Sequence, residues 1–463
     1  MYKLKVVEEI LRRFLEPRKR IQVIAGPRQV GKTTSVEQAV AGYHGGYTYK
    51  LAEGLGFAPL DWLAAEWNAA RARAKADGGH LLIIDEIQKI KGWSEVVKRM
   101  WDEDSFHHVE LKVCLLGSSR LLLQKGLEES LAGRFEMIDV WHWSFADMHA
   151  AFGYSLDDYI LFGGYHGAAD LRGDEVRWKQ YVRDAIIEPS ITLDILNLDT
   201  VAKPELLRQT FALGCTYAGK ILSYQKMVGQ LQDAGNTTTI AHYLRLLGEA
   251  GLLTGLEKLY DEPVRVRASS PKLAVCNNAL RTAMQTCSPS AIRADPERWG
   301  RAVESAIGAQ LLSSVRRKNI DLLYWNVGCK EVDYVLRRDD AIAAIEVKSS
   351  DADSVSGMHE FLRKYPRSKS YLIGGQGMPL ETAFATSAAD LIEPQRTQRT
   401  QREENGDEES DDGAWMRGGD DVRRLHVRSD GRARLATEGS RGMPRDQERV
   451  FLALAREHRH EQD

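Results

Sequence analysis

Cysteine is scarce in this 463-residue chain: Cys114, Cys215, Cys276, Cys287 and Cys329 are scattered, odd in number, and never form a C-x-x-C pair. That excludes a disulfide framework and a zinc site built on paired cysteines, and it fits a reducing compartment. Long apolar runs are missing too. No segment approaches the ~20 apolar residues needed to span a bilayer. The opening stretch, "MYKLKVVEEILRRFLEPRKR", spaces its apolar residues helically between charges, unlike the continuous apolar core of a signal peptide. The expectation is a soluble, cytoplasmic protein with no membrane partner. Nor is there an excess of one charge: 63 Lys and Arg against 66 Asp and Glu leave a net charge of -3. This argues against a broad, sequence-independent grip on nucleic acid, although a local basic groove remains open.

What is present is length enough for about three domains. Up to residue 150, apolar strands ("IQVIA", "YTYKL", "LLIID", "LKVCLLG", "FEMIDV") alternate with longer amphipathic runs, which predicts an α/β domain with a parallel sheet covered on both faces. Residues 151–203 read as a helical connector. From 204 to 262 helical periodicity dominates. There Asn236 or Thr237 caps a helix, Ile240, Tyr243, Leu244 and Leu247 recur at core spacing, and Gly251 stops it before an extended run, the outline of a winged helix. Residues 263–391 return to mixed strands and helices. The charged, polar text from 392 to 463 predicts a disordered tail with one short helix near "DQERVFLALAREH".

The stretch "IQVIAGPRQVGKTTSVEQAV" carries the most specific signal. Gly26, Pro27, Arg28, Gln29, Val30, Gly31, Lys32 and Thr33 satisfy G-x-x-x-x-G-K-[ST] directly after a strand and ahead of a helix, with Thr34 next in that helix. At ordinary residue frequencies about 0.02 such matches are expected by chance in a chain this long, so a phosphate loop is the reading. Backbone N–H groups turn around phosphate oxygens, the helix N-terminus adds partial positive charge, Lys32 reaches the outer phosphates and Thr33 holds Mg²⁺. Some fifty residues on, "HLLIIDEIQKI" ends an apolar strand in Asp85 and Glu86. Asp85 suits the Mg²⁺ side, and Glu86 suits positioning and deprotonating the attacking water. The next strand ends in Ser118 and Ser119, placed to sense a γ-phosphate or the water. Arg134 reads either as a charge-stabilising arginine for its own or a neighbouring subunit's ATP, or as a surface ion pair.

Taken together, "GPRQVGKTT", "IIDEIQKIKGW", "LLGSSR", "ESLAGRFE" and "LFGGYHG" resemble a prokaryotic family of AAA-type ATPases with a C-terminal domain of unknown function. The resemblance runs to about residue 391. It implies a P-loop NTPase core, then a winged helix, then a restriction-endonuclease-like α/β domain. His166 and Asn277 stand where the family usually has Pro and Asp.

In the helix 237–250 only His242 and Arg245, beside Glu249, suit nucleic acid, and Arg265 and Arg267 follow on the extended run. Packing or oligomer contact and DNA reading both remain open. Further on, "EVDYVLRRDDAIAAIEVKSS" buries carboxylates in two strand-like runs. A hairpin centred on Asp339-Asp340 places Asp333 opposite Glu346, a pairing that destabilises a sheet unless a cation relieves it. With Lys348, and with Glu304 from the helix upstream, this set resembles a PD-(D/E)XK nuclease site in which Asp333 and Glu346 hold Mg²⁺, with Gln310 accessory. The alternative is an exposed Glu–Lys pair on an edge strand. Two functions follow. One is an ATP- and Mg²⁺-dependent enzyme of DNA processing or defence, with a gated nuclease-like module. The other is an ATP-controlled switch binding a protein or nucleic-acid partner without cleavage. In either case assembly into a homo-oligomer is open.

Overall fold

The structure, a computed structural model, describes residues 2–56, 58–117, 123, 126–127, 130–196, 201–232, 235–260, 269–349 and 356–393, with strands at 415–418, 421–427 and 433–435. The chain divides into two units, residues 1–393 and 394–463.

Five strands open the first unit: β1 (Ile21–Ala25), β2 (Tyr47–Leu51), β3 (His80–Asp85), β4 (Leu111–Gly117) and β5 (Phe135–Asp139). All pair in parallel, in the order β2-β3-β4-β1-β5. β1 and β3 are buried at every residue, which is why they read as near-continuous apolar runs rather than alternating ones, with Gln22 the one polar residue inside β1. One face packs on Leu63, Trp67, Trp93, Val97 and Trp101, the other on Val7, Ile10, Phe14, Val36 and Ala39. The chain leaves β1 for β2 at the far edge and comes back through β3 and β4. The segments following β1 and β3 therefore meet above the carboxyl ends of the strands, where open parallel sheets bind ligands.

A second, mixed sheet follows: β6 (Leu253–Lys258), β7 (Lys272–Val275), β8 (Asp321–Val327), β9 (Lys330–Arg338), β10 (Ala341–Val347) and β11 (Lys369–Ile373), in the order β11-β10-β9-β8-β6-β7. Its arrangement corrects the expected division at 262/263. β6, expected within the winged helix, and β7, expected in the domain after it, together form one edge of this sheet, because β6 pairs in parallel with β8 through Glu257 and Leu323 as well as antiparallel with β7. One apolar core runs from Trp143 to Ile392, so the stretches read as connector, winged helix and C-terminal domain share it. Phe145 against Phe384, with ring centres 6.0 Å apart, shows how far along the chain that sharing reaches.

Within the expected connector, the helix from Glu175 continues through two wide-turned segments, Val182–Ile187 and Ser190–Ile195. The second presents Asp194 to the first sheet's ligand end. In the second unit, β12 (Trp415–Gly418), β13 (Asp421–Val427) and β14 (Ala433–Leu435) form an antiparallel sheet where a disordered tail was expected. Val422, Leu425 and Val427 supply β-forming residues within an otherwise charged text. The helix expected near 446–458 lies outside the described residues. Among the described residues no helix is long and apolar enough to cross a membrane.

Candidate functional site

The turn after β1 is shaped by its glycines. A Cβ on Gly26 would lie 1.8 Å from the Val140 carbonyl oxygen, so only glycine lets the loop pass beneath the end of β5. Gly31 takes φ 87° and opens the helix Lys32–Val40, whose first turn has no side-chain cap. Its N–H groups are thus directed at whatever occupies the loop. Lys32 is buried and reaches back across the loop, donating to the carbonyls of Gly26 at 3.0 Å and Pro27 at 2.6 Å. Burial pulls its pKa down to about 8, against the opposing pull of Glu86, Asp194 and Asp85.

Thr33, one residue on, donates its hydroxyl to Asp85 Oδ2 at 2.9 Å. Asp85 is fixed from two other sides: the Tyr49 hydroxyl donates to Oδ2 at 2.6 Å, and the Glu86 N–H donates to Oδ1 at 2.7 Å. Tyr49 was not singled out by sequence reasoning. The signal was its place on β2, the strand paired with β3, with Tyr49 level with Ile83 two residues before Asp85. Burial first, then the Asp85 hydrogen bond, pushes the Tyr49 hydroxyl pKa up, so it remains a donor. Glu86 sits in a left-handed turn at φ 56°, and its carboxylate accepts from Gln88 at 2.7 Å. Thr34 stands half-buried in the same first helical turn.

Ser118 and Ser119 lie outside the described residues. Arg134 is brought to the wrong end for its own loop. It immediately precedes β5, its carbonyl accepts from Ile21 at the start of β1, and the phosphate loop begins after the other end of that strand. A five-residue strand separates the two by roughly 16 Å. Its guanidinium instead makes two bonds to Asp102, at 2.7 and 3.0 Å, the ion-pair alternative.

The phosphate loop is also gripped from the following module. Arg28 donates through Nε and Nη2 to the two oxygens of Asp194 at 2.9 and 2.8 Å. Trp143 donates to the Val30 carbonyl at 3.0 Å and stacks on His166 at 4.8 Å between ring centres. Both rings stand beside Gly31, where an added Cβ would meet His166 at 3.7 Å and Trp143 at 3.8 Å. His142 contacts the Gly251 carbonyl at 2.9 Å and the Asn277 amide at 3.3 Å. Burial pulls its pKa down to about 4, so it is neutral in this contact. Asn277 Oδ1 further accepts from the Gly164 and Ala279 N–H groups. His166 therefore flanks the phosphate loop, while Asn277 ties the "GGYHG" segment to the second sheet.

In the second sheet, β9 and β10 pair with Arg338 opposite Ala341 and Tyr334 opposite Ile345. Continued by one residue, this register sets Asp333 against Glu346, as the hairpin predicts. Asp333 Oδ2 accepts from the Val347 N–H at 2.8 Å, and Lys348 donates to Glu346 at 2.8 Å. Glu346 is not on an exposed edge: it is 6 % exposed, and β10 lies between β9 and β11. Sequence reasoning missed the residue at the centre. Lys272, 1 % exposed on β7, places its ammonium 2.8 Å from Glu304, 3.0 Å from Glu331 and 3.4 Å from Asp333. The only signal was a lysine opening the apolar run "KLAV". Of the Asp333–Glu346 pair expected to hold Mg²⁺, Asp333 thus faces Lys272 and Glu346 faces Lys348. Among the described residues no group of three or more His, Cys, Asp or Glu is arranged to hold a metal ion. Gln310 is turned away and donates to the Phe384 carbonyl at 3.1 Å. On the helix Thr237–Glu249, Arg245 is paired with Glu249 at 2.7 Å; Arg265 and Arg267 lie outside the described residues.

Residues 18–149 match the family model of an AAA domain. Together with the parallel sheet and the loop-and-strand-end geometry, this identifies the N-terminal part as an AAA-type P-loop ATPase domain. Residues 153–291 and 299–387 match two further families, each described as a domain of unknown function (DUF8612 and DUF4143). No curated protein matches the chain. Among solved structures, the Walker-type ATPase of Pyrococcus abyssi is 13% identical with a TM-score of 0.41, over 61% of this chain and 96% of that one. AMPPCP-bound DnaA from Aquifex aeolicus is 13% identical with a TM-score of 0.29, over 53% and 86%. The Aeropyrum pernix ORC1 protein in complex with DNA is 11% identical with a TM-score of 0.29, over 61% and 92%.

Proposed function

We propose that this protein is an ATP-controlled switch: Mg²⁺-dependent ATP hydrolysis in the N-terminal domain changes how the C-terminal module engages a DNA or protein partner, without cutting it. The observation that carries the reading is the Thr33 hydroxyl bonded to Asp85 beside a buried Lys32. Thr33 and Asp85 fit Mg²⁺, being adjacent oxygen donors held by Tyr49 and the Glu86 N–H. Bound Mg²⁺ would neutralise phosphate charge. Lys32 exchanges two carbonyl oxygens for phosphate oxygens, and the Gly31–Thr34 N–H groups complete the cradle. Glu86 orients and deprotonates the attacking water, with Gln88 setting its carboxylate. Arg28 with Asp194, and Trp143 with Val30, supply the physical link from loop to module. With Arg134 at the far end of its own sheet, a catalytic role for it requires a neighbouring subunit in a homo-oligomer.

The test is phosphate release from ATP by wild type and Lys32→Ala, with and without DNA. Mg²⁺-dependent turnover lost in the variant supports the reading; equal turnover in both removes its foundation. DNA processing or defence by cleavage is the second reading, favoured by Asp333, Glu346 and Lys348 converging next to Glu304. Incubation with single- and double-stranded DNA, Mg²⁺ or Mn²⁺, with and without ATP, separates the two. Metal-dependent cleavage lost in Glu346→Ala would install the cleaving reading in place of the switch.

A further inference from the structure

Four carboxylates converge at the junction of β9, β10 and the helix Pro296–Val315: Glu304, Glu331, Asp333 and Glu346. Uncompensated, such a set repels itself and calls for a cation. The distances say what kind of cation the site is built around. An oxygen site for Mg²⁺ holds its ligands at about 2.0–2.1 Å in an octahedron. Here the centre is a nitrogen with carboxylate oxygens at 2.8, 3.0 and 3.4 Å, ion-pair distances well beyond metal–oxygen bonds. An ammonium has three N–H donors, and three carboxylates face it. A remaining side is covered by the face of Tyr334, 5.1 Å from the nitrogen to the ring centre, a cation–π contact. Tyr334 is itself held, donating its hydroxyl to the Glu304 backbone carbonyl at 2.9 Å. The fourth carboxylate, Glu346, has its own ammonium in Lys348. Lys272 is also anchored by its backbone: β7 is buried at all four residues, and Lys272 pairs with Leu256 and bridges to Ile221.

We propose that the Lys272 ammonium is the resident cation of this cluster and stands in place of a divalent metal, so that the C-terminal module holds no Mg²⁺ or Mn²⁺ of its own. This deepens the non-cleaving reading above and rests on it only for its consequence, that the module acts by binding. Lys272 carries the charge that a nuclease of this layout would draw from solution, and it keeps the carboxylates together whatever the metal supply. Removing the ammonium while keeping the aliphatic stem leaves converging carboxylates that, once ionised at pH 8, call for an added cation.

The test counts bound Mn²⁺ by electron paramagnetic resonance, without nucleotide and in the Asp85→Asn background, so that the ATP site lacks its metal-side carboxylate. No Mn²⁺ at this site is expected before substitution, and about one per chain after adding Lys272→Met, lost again with Glu346→Gln. Mn²⁺ bound by the Asp85→Asn chain and released by either Asp333→Asn or Glu346→Gln would overturn the proposal. So would a folded Lys272→Met chain with no gain. If Lys272→Met does not fold, the first measurement still decides, since Mn²⁺ that survives both carboxylate substitutions lies elsewhere and counts as none here. DNA cleavage by the wild-type chain without Mn²⁺ at this site would sink the non-cleaving reading and leave the lysine assignment standing.

Discussion

Arg28, inside the phosphate loop, clasps Asp194 of the following module with two parallel hydrogen bonds of 2.9 and 2.8 Å. Asp194 is 4 % exposed, so this is an ion pair withdrawn from water rather than a surface contact. Bidentate arginine–carboxylate pairs fix orientation as well as charge. Any movement of the loop on binding ATP is therefore felt by the segment Ser190–Ile195.

Removing one member of such a pair costs more than removing both, because a buried charge then loses the partner that stabilised it. Arg28→Ala is expected to lower unfolding stability by about 3 kcal/mol, and Arg28→Met with Asp194→Leu by distinctly less. Urea unfolding of the single and double variants measures this. A single variant within about 0.5 kcal/mol of wild type would put the pair with ordinary surface bridges.

Gly26→Ala drives a methyl group against the Val140 carbonyl, 1.8 Å away. The backbone must shift, at a cost of about 1–3 kcal/mol, and the shift falls on the phosphate loop. The expected result is a lower melting temperature together with weakened binding of fluorescent ATP. Unchanged nucleotide affinity would show that the loop tolerates displacement.

The phosphate loop and the Asp85–Glu86 strand end were legible because their chemistry is local: glycine freedom, a helix start and a strand end all lie within short contiguous stretches. The register of Asp333 against Glu346 was legible for a similar reason, a two-residue hairpin centre fixing every pair outward from it. Lys272 was not legible. Its partners come from a helix and a strand, with Glu331 59 residues away in sequence, and nothing in "KLAV" reveals which face of β7 turns inward. The pairing of β6 with β8 was hidden likewise, since a hairpin-like pattern does not say which further strand its edge will meet. For Arg134 the sequence left its alternatives open, because only strand direction shows that it lies at the opposite end of the parallel sheet from its own phosphate loop, bonded to Asp102.

Lys32→Ala and Glu86→Gln separate binding from chemistry. The first removes the ammonium that balances phosphate charge, and both affinity and turnover should fall, turnover by about 100-fold or more. The second keeps the shape and the Gln88 contact region but removes the base, so ATP should still bind while hydrolysis drops about 10²–10⁴-fold. Isothermal titration with ATP alongside phosphate release distinguishes them. Wild-type turnover in Glu86→Gln would reassign the base.

Glu304 and Glu346 give the C-terminal cluster a pH signature. Burial first, then the negative charge of Asp333, pushes both carboxyls up to about 7 from an ordinary value of 4.5. Burial alone would lower Lys272, but Asp333, Glu304 and their neighbours outweigh it and hold its pKa well above the ordinary lysine range, so it stays charged throughout. A carboxyl whose folded pKa exceeds its unfolded one binds protons more tightly in the folded state. Its contribution to stability is complete below about 4.5 and is lost as pH rises through about 7. Glu346→Gln removes one titrating group and cannot follow this course. Measured at pH 5 and pH 8, the stability of wild type relative to Glu346→Gln should fall with rising pH. A difference that stays flat or rises would mean that Glu346 is already ionised at pH 5, held so by Lys348 rather than raised by burial.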